Sequence, residues 1–281
     1  MHPDPQQSLA GFPHGFQEVE KLRSEFVRRL LVADYAQGEP TDAPSSIPKV
    51  LVRFWDDLSS LPDDVGHCLD SWNPMREAGF EIRTFDDASA LAHIGETCSP
   101  RHVDAFRRCH HPAMRSDYFR LCYLSVLGGF YVDADDEMTA GDWPILYGND
   151  NLKLQPLSFD LPSQSMVEVA GFWRFHEPRP DRLYYLNNNP IVAPAGHPVL
   201  KLALERATSA LLKATGSVEI QSTTGPGNLT MALVEHAYAR AIAGLPPDYE
   251  MIRHWDRVGR TRWELSYRED ERNWRKMDSS E

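Results

Sequence analysis

The chain has 281 residues, 42% of them hydrophobic, and a formal net charge of −12. That length can bury a substantial core in one large domain or two small ones. The acidic balance repels nucleic acid and anionic membranes, so a phosphate-bearing ligand needs a local basic or metal-assisted site. No stretch approaches the roughly 18 to 20 apolar residues of a membrane helix, and MHPDPQQSLAGF lacks the basic start and apolar run of a secretory signal. The four cysteines (Cys68, Cys98, Cys109 and Cys122) form no CxxC pair and read as reduced thiols of a cytoplasmic protein.

Residues 1–15 read as flexible, and apolar residues at Phe16, Val19, Leu22, Phe26 and Leu30 predict an amphipathic helix lying against the main body. EPTDAPSS (39–46) reads as a linker, which sets an N-terminal extension over 1–46. KVLVRFW (49–55) predicts a first strand, a helix follows over 63–78, and FEIRTF (80–85) predicts a second strand. Asp86 or Asp87 can cap the helix DDASALAHI. Pro100 and Pro112 each open a further helix, the second running to Gly128-Gly129. CSPRHVDAFRRCHH gathers Cys98, His102, Cys109, His110 and His111, but its spacing fits no common zinc finger or ribbon, so it reads as a helix end.

FYV (130–132) predicts a strand that runs into acids. The alternation of strands and helices in this half predicts an α/β fold with a mostly parallel sheet flanked by helices. Beyond it, MVEVAGFW (166–173), NPIVAPA (189–195) and YEMIRHW (249–255) predict strands. HPVLKLALERATSALLKA and NLTMALVEHAYARAIAG predict helices. A catalytic domain is expected over 47–265, followed by a charged, partly disordered tail over 266–281.

The acids in GGFYVDADDEM are Asp133, Asp135 and Asp136. In open α/β sheets ligands bind beyond the carboxyl ends of the strands. Two carboxylates two residues apart at such an end can converge on one small volume, where a divalent cation relieves their repulsion. Hard oxygen ligands suit Mg²⁺ or Mn²⁺, with phosphates completing the shell. The same residues also fit a solvated Asp-rich turn, or a phosphohydrolase with Asp133 as nucleophile, although Glu137 stands where that chemistry expects Ser or Thr. Upstream, Ser116, Asp117 and Arg120 share one face of an otherwise apolar helix, either as a local ion pair or as ligand contacts.

The ordered set IPKVLVRFW, CLDSWNP, EIRTFDD and AMRSDYFRLCYLSVLGGFYVDADDEM resembles the DXD-containing sugar transferases of glycosyltransferase family 32. The large clostridial glucosylating toxins are more distant relatives. The resemblance is specific over 47 to about 145 and weaker through NNNPIVAPAGHP, TTGPGNLT and RHWDRVGRTRW. It implies a GT-A fold, a nucleotide-diphosphate-sugar donor carrying uridine or guanosine, Mn²⁺ or Mg²⁺, and a retaining mechanism. The acceptor, whether small molecule, glycan or protein, is left open.

The resemblance also implies site roles. Asp135 and Asp133 hold the metal, with His254 as third ligand and Asp256 as its competitor. Asp117, Arg120, Asp133 and Asp135 form the catalytic set. Trp55 offers a ring to the base, and Arg115, Ser116, Asp117, Arg120, Tyr131, Asp133, Ala134, Asn188 and Gly225 surround the donor. Arg53 replaces a residue of the family's first motif and either contacts a ligand or pairs at a strand edge. Phe172, Trp173, Tyr184 and Tyr185 are either acceptor-stacking or core.

Overall fold

A computed structural model of the chain describes residues 9–36, 45–167 and 179–273. Its first long helix, α1 (Glu20–Ala36), follows a 3₁₀ turn at Phe16–Glu18. Phe26, Val27, Leu30 and Leu31 are buried, so the helix lies against the body, but of the predicted stripe Val19 and Leu22 are exposed, because the chain turns as a 3₁₀ helix at Phe16–Glu18 before α1 begins at Glu20. Strand β1 (Val50–Phe54) leads to α2 (Asp63–Ser71). The α-helix stops earlier than expected, with Asn73–Arg76 turning as a 3₁₀ helix, because Pro74 has no N–H for an interior helix bond.

Strand β2 (Glu81–Phe85) precedes α3 (Asp87–Thr97), capped by Asp86 in a reciprocal box with Ser89. Next come α4 (Pro100–Arg107), α5 (Pro112–Leu127), β3 (Gly129–Tyr131) and β4 (Asp136–Met138). Gly128 lies at φ +67, and a Cβ there would sit 2.6 Å from the Ala195 amide nitrogen. Only glycine reconciles that backbone with that approach.

The second half supplies β5 (Leu152–Asp160), β6 (Ser165–Met166), β7 (Arg182–Ala193), α6 (Pro198–Lys213), the short α7 (Ile220–Thr223), α8 (Pro226–Ile242), β8 (Tyr249–Met251) and β9 (Gly259–Thr261). Most of the strand expected over 166–173 lies outside the described residues, as do Phe172 and Trp173. β5 was not evident in the sequence: Pro156 interrupts it and shifts its register against β7.

The main sheet has the order β2-β1-β3-β7-β5-β6, with β8 on β5. β1, β2, β3, β5 and β8 run one way, and β7 and β6 run against them. The α/β class and the mostly parallel, helix-flanked sheet are therefore as expected. One large core joins α1, α5, α6 and α8 to the sheet, with Tyr118, Phe119 and Tyr123 among its largest buried side chains. A separate two-stranded sheet, β4 with β9, carries the acids' continuation. Among the described residues no helix is long and apolar enough to cross a membrane.

Candidate active site

β1, β2 and β3 are parallel; β1 and β2 end opposite each other at Phe54 and Phe85, and β3 ends at Tyr131, opposite Val52. The chain then turns, with the Asp136 amide donating to the Asp133 carbonyl at 3.1 Å, before β4 pairs with β9. The acids thus sit where two sheets meet.

Asp133 is held by α5. Arg120, buried to 3% exposure, donates through Nη2 to Asp133 Oδ1 at 2.8 Å and to Ser116 Oγ at 2.9 Å. Its Nη1 donates to the Asn188 carbonyl at 2.5 Å, and its guanidinium lies 4.3 Å from the centre of the Tyr131 ring. Tyr131 donates to Asp133 Oδ1 at 3.2 Å, and Ser116 Oγ lies 2.8 Å from the Tyr131 hydroxyl. The directions are consistent: Arg120 donates to Ser116, Ser116 to Tyr131, and Tyr131 to Asp133. Asp133 Oδ1 is thereby fully engaged, while its Oδ2 accepts no hydrogen bond among the described residues.

Asp117 closes the same knot. It lies 3.1 Å from Arg120 Nη2 and accepts from Asn188 Nδ2 at 2.7 Å and Thr224 Oγ1 at 3.3 Å. Burial pushes its carboxyl up to about 6 against the pull of Arg120. The neighbouring Asn189 pins the acid loop: its Oδ1 accepts from the Asp133 amide at 2.9 Å, and its Nδ2 donates to Asp136 Oδ2 at 2.7 Å. The Asn run of β7 and the TGP turn before α8 thus meet the SD-x-x-R helix. Gly225 is the N-cap of α8, beside Thr224.

Asp136 is fully buried and also accepts from Thr261 Oγ1 at 2.7 Å, while the Trp72 indole donates to its carbonyl at 2.9 Å. It therefore ties the loop down and presents nothing outward. Asp135 Oδ2 accepts from Tyr267 at 2.7 Å and from Arg268 Nη2 at 2.5 Å. Burial, then the Asp133 charge, raises the Asp135 carboxyl above the usual range. Burial pushes the Asp136 carboxyl up to about 8, so Asp117, Asp133 and Asp135 are the carboxylates set against Arg120 and Arg268, with one oxygen of Asp133 unused among the described residues. That donor set fits a hard divalent cation.

Arg115 donates to Asp87 Oδ1 at 2.7 Å and so braces α5 against α3. Arg53 is buried, donates to Thr84 Oγ1 and to the Leu69 carbonyl at the end of α2, and reads as structural. Trp55 is 7% exposed, packed in a small cluster with Ala134 and Leu265, and covered by Tyr267. Its ring is therefore not an open platform.

Among the described residues no group of three potential metal-ligand atoms within 4.8 Å of one another includes His254. Among the described residues, the one group of three potential metal-ligand atoms lying within 4.8 Å of one another is His197, His236 and Asp248. Asp256 is exposed and its carbonyl accepts from Thr139. The residues that sequence reasoning missed are Tyr267 and Arg268. They lie in a charged tail expected to be partly disordered, yet Ser266–Glu269 is a 3₁₀ turn. The only trace in the sequence is an apolar Leu265 just ahead of the Tyr267–Arg268 pair.

The family model described as "Glycosyltransferase sugar-binding region containing DXD motif" matches residues 58–149, the stretch that holds α5, β3 and the acid loop. The DXD sugar-transferase resemblance is thus confirmed over that stretch. No curated protein matches. Among solved structures the PaToxG glycosyltransferase is similar, at 15% identity and a TM-score of 0.45, over 82% of this chain and 89% of that one.

Proposed function

We propose that the chain is a metal-dependent, retaining glycosyltransferase of GT-A type that moves a hexose from a UDP- or GDP-sugar to an acceptor. The observation that carries this reading is Asp133 itself. One oxygen is fixed by the Arg120–Ser116–Tyr131 chain, the other is left unused, and Asp135 stands beside it at the carboxyl end of β3. The match over 58–149 supports sugar transfer, and retention and the donor class follow from the resemblance.

Asp133 and Asp135 would hold Mn²⁺ or Mg²⁺, which neutralises charge on the departing diphosphate as a Lewis acid. Arg120 adds a preorganised positive charge beside Asp133 in a water-poor setting. Asp117 orients Arg120 and Asn188, and its place among Asn188 and Thr224 suits it to hydroxyls of the donor sugar. Retention by a front-face route, with the leaving phosphate accepting the acceptor's proton, requires no protein nucleophile, and none is assigned. Four free cysteines accord with a cytoplasmic setting.

The test is calorimetric titration with a panel of UDP- and GDP-sugars in Mn²⁺, repeated in EDTA. One donor should bind in Mn²⁺ and lose binding in EDTA. If no donor binds, and phosphate is instead released from simple phosphoesters, the Asp133 hydrolase reading replaces this one.

A further inference from the structure

The segment after Leu265 lies across the acid loop and is fastened at several points. Ser266 binds Asp64 through its amide at 2.6 Å and its hydroxyl at 3.0 Å. The Glu271 carbonyl lies 3.0 Å from His111 Nε2, and Asn273 Nδ2 donates to the Arg268 carbonyl at 2.8 Å. Between these anchors sit two arginines. Arg268 is stacked 4.6 Å from the Trp263 ring centre, with Nη2 on Asp135, and Arg272 lies 5.4 Å from the Trp55 ring centre.

Among the described residues three buried donors in this cluster have no hydrogen-bond partner, Arg268 Nε, Arg272 Nη1 and Trp55 Nε1, whereas Arg182 Nε and Arg206 Nε, also without one, stand singly elsewhere. Unmet buried N–H groups are costly and uncommon. Three around one loop, two of them on guanidinium groups, are the complement of a missing anion, and the flat guanidinium fork matches phosphate oxygens. Asp270 Oδ2 is 3.7 Å from Arg272 Nε and leaves Nη1 unmet among the described residues.

Building on the sugar-transfer reading, we propose that Arg268 and Arg272 receive the diphosphate of the donor nucleotide, with Arg268 passing from Asp135 to the phosphate oxygens as it binds. Before the nucleotide binds, Arg268 is then the positive charge on Asp135. When the nucleotide arrives, the segment fastened at Asp64 and His111 keeps both arginines within reach of it.

The test titrates UDP and GDP, with Mn²⁺ present, into the full chain and into Arg268→Gln, Arg268→Lys and Arg272→Gln. Each glutamine variant should weaken nucleotide binding about tenfold or more, as loss of a charge-assisted pair does. Arg268→Lys should recover part of the loss. Arg272 does not touch Asp135, so its variant tests the idea even if Arg268→Gln fails to fold. Unchanged or tighter binding by folded glutamine variants would overturn the proposal and make the segment merely structural or obstructive, leaving the sugar-transfer reading intact. If the wild-type chain binds neither nucleotide, that reading fails and the proposal falls with it.

Discussion

Replacing Arg120 by Met keeps the shape of the side chain's stem and removes its charge. Arg120 is 3% exposed and holds Asp133, Asp117, Ser116 and the Asn188 carbonyl together. Its loss leaves two carboxylates facing each other without their shared cation. Breaking a buried ion pair from one side typically costs about 3–5 kcal/mol. For a chain of this size that lowers the melting midpoint by on the order of 10 °C. Thermal and urea unfolding should both show the loss, and adding Asp117→Asn should return part of it, since the second change removes one stranded charge. A loss below about 1 kcal/mol for Arg120→Met, or strict additivity in the double variant, would refute the claim that this arginine organises the site.

Two further predictions concern the frame. Gly128→Ala combines a left-handed φ of +67 with a Cβ 2.6 Å from the Ala195 amide, and should cost at least about 2 kcal/mol in chemical unfolding. Gly79→Ala, at φ +86 but with open space around the added carbon, should cost only about 1 kcal/mol; equal losses would contradict the steric argument. His197 is buried among His236, Asp248 and Arg240, and burial pulls its pKa down to about 4. A histidine whose folded pKa lies below its unfolded value near 6.5 contributes stability that is complete above about pH 6.5 and is lost as pH falls towards about 4. Urea midpoints for wild type and His197→Gln should therefore converge on acidification across that window, and a constant difference would show that His197 does not titrate there.

How much was legible in the sequence depended on how local each constraint is. The strand–helix alternation through β3, the glycine stop at 128–129 and the SD-x-x-R and D-x-D spacing are local, and all were readable. β5 was hidden by Pro156, and the pairing of β4 with β9 joins residues more than a hundred positions apart, with no turn signal to announce it. Asn189 and Thr261 act on Asp136 from 53 and 125 residues away. The partners of Asp135 were the hardest to foresee. Tyr267 and Arg268 belong to a polar tail whose composition alone argues against order, and only the docking of Leu265 and Ser266 fixes them. Trp55 shows the same limit in reverse, since nothing in its own strand reveals that Tyr267 covers it.

The central claim is that the Asp133–Asp135 pair operates a sugar transfer. The direct measurement is hydrolysis or transfer of UDP- and GDP-sugars by wild type and by Asp135→Asn, with Mn²⁺ or EDTA, alongside thermal melts of both proteins. The account predicts release of nucleoside diphosphate by wild type in Mn²⁺ only, and a folded Asp135→Asn protein whose rate falls by at least about a hundredfold. A folded Asp135→Asn protein that turns over a donor at the wild-type rate would contradict it.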